Sequence, residues 1–123
     1  MSQFSRTLGG RIRPLPNIRS SNAGERAKAE RQAVNTTIQG SAADLMKEAM
    51  LSACSELNQQ GVAARLICQL HDEVLFEVRE EHVRTCATIV RQRLETISVA
   101  GRELPPMPVS LQCGKSWGQM SEM

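Results

Sequence analysis

The stretch QLHDEVLFEV, Gln69 to Val78, decides how the rest of the chain is read. Leu66–Leu70 and Val74–Phe76 are apolar runs of strand length on either side of a polar bend, so they read as the arms of a β-hairpin. The bend holds His71, Asp72 and Glu73. Tight hairpin turns favour Asn-Gly or Asp-Gly, whose backbones accept positive φ. Here three titratable groups stand in that place and no glycine does.

Side chains alternate along an extended chain, so Asp72 and Glu73 share a target only if the turn bends them together, with Asp72 leading. A hard cation such as Mg²⁺ takes one or two carboxylates plus substrate phosphates and keeps several waters. A hairpin tip is a rigid mount for such a ligand. A two-metal site must clamp both the attacking and the leaving oxygen, and two adjacent acids are too few for that. By itself the tip reads first as a structural turn.

Downstream, Glu80 and Glu81 suit a helix N-terminus, and Val83, Ala87, Val90, Leu94 and Ile97 form a stripe along a helix over 80–98. GRELPPMP is a loop, and Val109, Leu111 and Cys113 alternate in a final strand over 107–113. Upstream, residues 25–60 read as helices broken near Gly40. Ser41-Ala42-Ala43-Asp44 resembles a capping box that starts a fresh helix, and Gly61 stops it. Ser21 or Asn22 can cap the first of these helices. Residues 4–16 form a short hairpin turning at Gly9-Gly10, with Arg11 and Arg13 on one face. With the hairpin over 62–79, the order predicts an α+β fold: an antiparallel β-sheet with helices packed on one face.

At 123 residues the chain is one domain or a partial domain. Only 2% of residues are aromatic, so its core leans on aliphatic residues, alanine and methionine. Four isolated cysteines argue for a reducing compartment and against a disulfide framework or a zinc site. No run is long enough for a membrane span, and no signal-peptide core opens the chain. The Arg- and Ser-rich start imitates a transit peptide, but Gly9-Gly10 and two prolines interrupt any amphipathic helix there. Residues 1–31 carry seven Lys/Arg against two Glu, and residues 32–123 carry eight against eleven acids. A basic front end beside an acidic body suits one polyanion-facing surface, or an ordinary solvated stretch.

Arg31, Asn35 and Gln39 stand four apart, which on a helix makes a polar stripe about 12 Å long with about 40° between neighbours. All three carry donors for the acceptors of a DNA minor groove; a solvated helix face has the same spacing. Other motifs carry less. GKS at Gly114–Ser116 lacks the upstream glycine of a phosphate loop. His71 and His82 have no metal-ligand spacing, His82 fits a helix surface, and Trp117 reads as a packing anchor.

Taken together, AERQAVNTTIQGSAADLMKEAM (Ala29–Met50), QLHDEVLFEV, the preceding GGRIRPLPNI and the closing GKSWG strongly resemble the C-terminal palm region of family A DNA polymerases. The likeness covers roughly residues 4–119, and its wording is most similar to the eukaryotic repair polymerases nu and theta, nu above all. It implies a nuclear DNA repair or replication enzyme, a nucleotidyltransferase acting on primer–template DNA and dNTP.

By that resemblance, Asp72 is a ligand of a catalytic Mg²⁺ pair and Glu73 the acid that assists it. His71 contacts the primer near its 3′ end. Arg31, Asn35 and Gln39 touch the minor groove, and Arg11 and Arg13 lie near the DNA backbone. Ile12 departs from the basic residue usual there, which implies a weaker phosphate contact.

The family's first carboxylate motif and its fingers helix are expected upstream, outside these 123 residues. The chain alone is then expected to be inactive, its remaining partners being the thumb, the fingers and the first palm motif. A truncated, non-catalytic DNA-binding module is the alternative. A metal-dependent hydrolase on the acidic turn is a weaker one, for want of ligands.

Overall fold

The computed structural model describes residues 3–123. They form two compact units, residues 3–47 with 98–102 and residues 48–97 with 103–123, and the boundary falls inside one helix.

The first unit opens with strands β1 (Phe4–Arg6) and β2 (Ile12–Pro14), paired antiparallel from Phe4↔Pro14 to Arg6↔Ile12. Gly10 takes φ +91° in the loop between them, and Gly10 N–H donates to the Thr7 carbonyl at 2.9 Å. Helix α1 (Ala23–Asn35) is capped by Asn22, whose Oδ1 accepts from the N–H groups of Gly24 (2.9 Å) and Glu25 (3.2 Å).

Near Gly40, where a break is expected, the α-helical pattern is interrupted by a π-turn rather than by a loop. Thr36–Gly40 form a π-turn, and helix α2 (Ser41–Gln59) follows without interruption. The short hairpin packs against this turn. A Cβ on Gly40 would sit 2.8 Å from Thr7 Cγ2, so only glycine lets the loop that follows β1 come this close. Ser41 and Asp44 therefore do not cap a new helix. Ser41 Oγ donates to the Thr37 carbonyl and accepts from Leu8 N–H at 2.8 Å.

The second unit holds the apolar core. Ala53 and Leu57 of α2 are buried against Cys86, Ile89 and Val90 of helix α3 (Val83–Glu95), flanked by Val62, Ala64, Phe76, Val78 and Leu94. The buried stripe of α3 thus includes Cys86 and Ile89, while Val83 and Ala87, two of the expected positions, are only half-buried. Cysteine here packs as a small apolar residue, and burial pushes the Cys86 thiol pKa up, which keeps it inert. Gly61 at φ +65° ends α2, and Val62 N–H returns to the Leu57 carbonyl at 2.9 Å.

Strands β3 (Ala64–Leu70) and β4 (Glu73–Val78) form the long hairpin. His82 does more than lie on a helix surface, because its Nδ1 accepts the Ala63 N–H at 2.7 Å just before β3. Ser98–Val99 (β5) and Arg102–Glu103 (β6) flank a turn in which Ala100 and Gly101 both take positive φ. The final strand shrinks to β7 (Gln112–Cys113), paired with β8 (Ser121–Glu122); Val109 and Leu111 alternate in burial but carry no ladder. Among the described residues the architecture is α+β, its strands spread over four two-stranded ribbons. Among the described residues no helix is long and apolar enough to cross a membrane.

Candidate functional site

The hairpin tip is built by its arms. Leu70 pairs with Glu73, so His71 and Asp72 alone make the turn. His71 takes φ +53° and Asp72 does not share the positive sign. A type I′ turn needs both central residues there, so this turn strains only its first residue. Histidine tolerates left-handed backbone better than most side chains, yet a glycine would meet no cost at all. Strain of this kind collects at functional sites. Gln69 Nε2 donates to the His71 carbonyl at 3.3 Å and steadies the bend.

The register shifts between Leu66 and Cys68, leaving Ile67 as a bulge that adds twist to the strand leading to the tip. The side chains of Asp72 and Glu73 are exposed and form no hydrogen bond or ion pair with the described residues. No set of three or more His, Cys, Asp or Glu side chains converges to hold a metal among the described residues. Two free carboxylates nonetheless suit a hard cation that completes its shell with water and substrate oxygens. Beside the tip, Cys68, Leu70, Glu73, Val74, Leu75 and Trp117 line a shallow cavity of about 40 Å³. Trp117, expected as a packing anchor, is 59% exposed; it stands on a single 3₁₀ turn, Trp117–Gln119, and lines this hollow.

The polar stripe lies in the first unit. Arg31, Asn35 and Gln39 are all exposed and make no side-chain hydrogen bond with the described residues. Arg31 and Asn35 share α1, so the even 40° step applies to them. Gln39 sits in the π-turn, whose wider ring changes the step, so the regular three-residue progression does not hold.

Arg11 and Arg13 of the short hairpin are drawn onto this same turn. Arg13 Nη1 donates to Thr36 Oγ1 at 3.1 Å, and Arg11 Nη2 to the Gly40 carbonyl at 3.4 Å. Arg11 Nε also donates to Asp44 Oδ1 at 3.1 Å, while Thr7 Oγ1 donates to Asp44 Oδ2 at 2.5 Å. The Thr7 hydrogen bond does most to hold the Asp44 carboxyl below its usual pKa; partial burial opposes it and Arg11 reinforces it.

Thr7, Thr36 and Asp44 are the residues that sequence reasoning missed. Their partners lie 23 to 37 positions away along the chain, and no local spacing announces them. The structure thus gathers Arg11 and Arg13 at the π-turn, and His71, Asp72 and Glu73 at the long hairpin tip. The two groups belong to different units.

A family model described as DNA polymerase family A matches residues 1–119. The chain is 41% identical over 121 residues to DNA polymerase I of Chloroflexus aurantiacus, covering 98% of this chain and 12% of that protein. It is also 41% identical over 118 residues to DNA polymerase I of Mycobacterium leprae, covering 94% of this chain and 12% of that one. The solved POL domain of Pol1 from M. smegmatis, in complex with DNA primer-template and dNTP, matches with a TM-score of 0.72 at 41% identity. That match covers 76% of this chain and 16% of the solved one. The chain therefore spans about an eighth of the length of these curated relatives.

Proposed function

The chain belongs to DNA polymerase family A, and from that premise we propose that it is the C-terminal palm segment of a template-directed DNA polymerase. The observation that carries this reading is the match, at 41% identity, to a POL domain solved with primer-template and dNTP. The reaction is nucleotidyl transfer: a primer 3′-hydroxyl attacks the α-phosphate of a dNTP and pyrophosphate leaves. Asp72, seconded by Glu73, would hold Mg²⁺ at the hairpin tip. Bound there, the ion lowers the pKa of the attacking hydroxyl and neutralises developing charge.

The chain's own residues bind and orient. His71 meets the primer end from a backbone fixed between two paired strands. Arg31, Asn35 and Gln39 offer free donors to minor-groove acceptors. Arg11 and Arg13 contact backbone phosphates, which position the duplex without reading its sequence. Catalysis needs a second carboxylate and a nucleotide pocket from the rest of the polymerase. The relatives compared are bacterial, so the nu or theta assignment and a nuclear location have no support from them, and neither forms part of the proposal.

The test is Asp72→Ala in the polymerase that carries this segment. Primer extension is expected to vanish while affinity for primer–template is retained. Extension near the wild-type rate would sink the assignment. The exposed stripe and the two arginines also suit a non-catalytic DNA-binding module. That reading leaves the strain at His71 without a purpose, and intact extension by Asp72→Ala would favour it.

A further inference from the structure

Arg11 has five N–H donors, and the structure spends only one edge of its guanidinium. Asp44 takes Nε and the Gly40 carbonyl takes Nη2, which together form the inner edge of the fork. Among the described residues Nη1 has no partner, so the outer Nη1–Nη2 edge stays open, and the side chain is 58% exposed. That outer edge can meet a phosphate with two parallel hydrogen bonds.

The carboxylate on the inner edge is itself fixed. Asp44 is only 18% exposed, and its second oxygen accepts from Thr7 Oγ1 at 2.5 Å. The same Thr7 oxygen accepts the Arg11 N–H at 3.0 Å, closing a ring of contacts through backbone, hydroxyl, carboxylate and guanidinium. Thr7 is buried, although threonine is usually exposed. An arginine that served only to neutralise Asp44 would not need its partner locked from behind. A long side chain that must present one edge to an anion gains from such a lock, because its rotamer freedom is lost before binding rather than at binding.

We propose that Asp44, fixed by Thr7, is a positioning residue that holds the outer edge of Arg11 ready for a DNA-backbone phosphate. The inference rests on the reading of Arg11 as a phosphate contact, and it assigns to Asp44 and Thr7 a part in duplex binding although neither touches DNA.

Salt dependence supplies the test, since each phosphate contact contributes about 0.9 to the slope of log affinity against log salt. Primer–template affinity is measured between 50 and 200 mM salt for the polymerase carrying Asp44→Asn, Thr7→Val, Thr7→Ser or Arg11→Gln. Asp44→Asn and Thr7→Val are expected to lower the slope as Arg11→Gln does, so that affinity falls about 3.5-fold less across that range than in the wild type. Thr7→Ser, which keeps the hydroxyl, is expected to retain the wild-type slope. Asp44→Asn combined with Arg11→Gln is expected to add nothing to Arg11→Gln alone.

A wild-type slope in both Asp44→Asn and Thr7→Val overturns the proposal, whatever either does to thermal stability. Should Asp44→Asn fail to fold, Thr7→Val against Thr7→Ser decides the matter. If the wild-type polymerase itself shows no salt-dependent affinity, the polymerase reading has failed rather than the role of Asp44.

Discussion

The two units reach order by different means. In residues 3–47 the short hairpin is tied to helix by named polar contacts: Thr7 and Arg11 on Asp44, Arg13 on Thr36, Leu8 on Ser41. Even its buried set includes Thr7 and Thr36 beside Leu15 and Ala29. In residues 48–97 the tie is an apolar cluster of Ala53, Leu57, Cys86, Ile89 and Val90 that supports the long hairpin. Apolar packing is non-directional and answers to volume, whereas a hydrogen-bonded ring answers to geometry. One unit depends on the volume of its packed side chains; the other fixes the direction of two guanidinium groups.

The largest effect that sharpens this contrast is Leu57→Ala. Leu57 is 3% exposed, so truncation leaves a cavity and costs about 2–5 kcal/mol. Hydrogen exchange of the α3 amides is expected to speed by orders of magnitude, with little change at Thr7 or Leu15. Equal loosening of the β1–β2 amides would show that the division into two modes of support is false.

Gly40→Ala comes next. Its Cβ would fall 2.8 Å from Thr7 Cγ2, an overlap of the kind that costs about 1–3 kcal/mol. Faster exchange is expected in the short hairpin while α3 keeps its protection. If Gly40→Ala leaves the β1–β2 amides as protected as before, the close approach does not govern that unit.

The smallest effect is electrostatic. The carboxyl of Asp44 has a lowered pKa in the folded state, so its stabilisation is complete above the ordinary value near 3.8 and is lost as pH falls through the folded value. The short hairpin is therefore expected to loosen on acidification below that ordinary value more than the apolar unit does. Asp44→Asn is expected to remove that difference, read by exchange or by side-chain NMR of the two units. An unchanged acid response in Asp44→Asn would assign the effect elsewhere.

What the sequence shows and hides follows the same division. The arms Leu66–Leu70 and Val74–Phe76, the cap at Asn22 and the stop at Gly61 are local, and residue pattern alone reads them. The face of α3 that is buried depends on which neighbours α2 offers, so Cys86 and Ile89 displace Val83 and Ala87. The contacts of Gly40 and Asp44 with the short hairpin span 29 to 37 residues, and nothing in Ser41-Ala42-Ala43-Asp44 separates a carboxylate that pairs with an arginine from one that caps a helix. The acids at 72 and 73 are plain in the sequence. Their lack of internal partners is a property of the fold.

The left-handed backbone at His71 also bears on how this segment can be improved. Asparagine or glycine relaxes such a position, by about 1–2 kcal/mol for glycine. A library sorted for heat resistance alone would drift toward those residues at position 71 and discard the imidazole. On the proposed contact of His71 with the primer end, stability and binding are opposed at that one residue, so a thermostability campaign should hold position 71 fixed and seek its gains in the apolar unit.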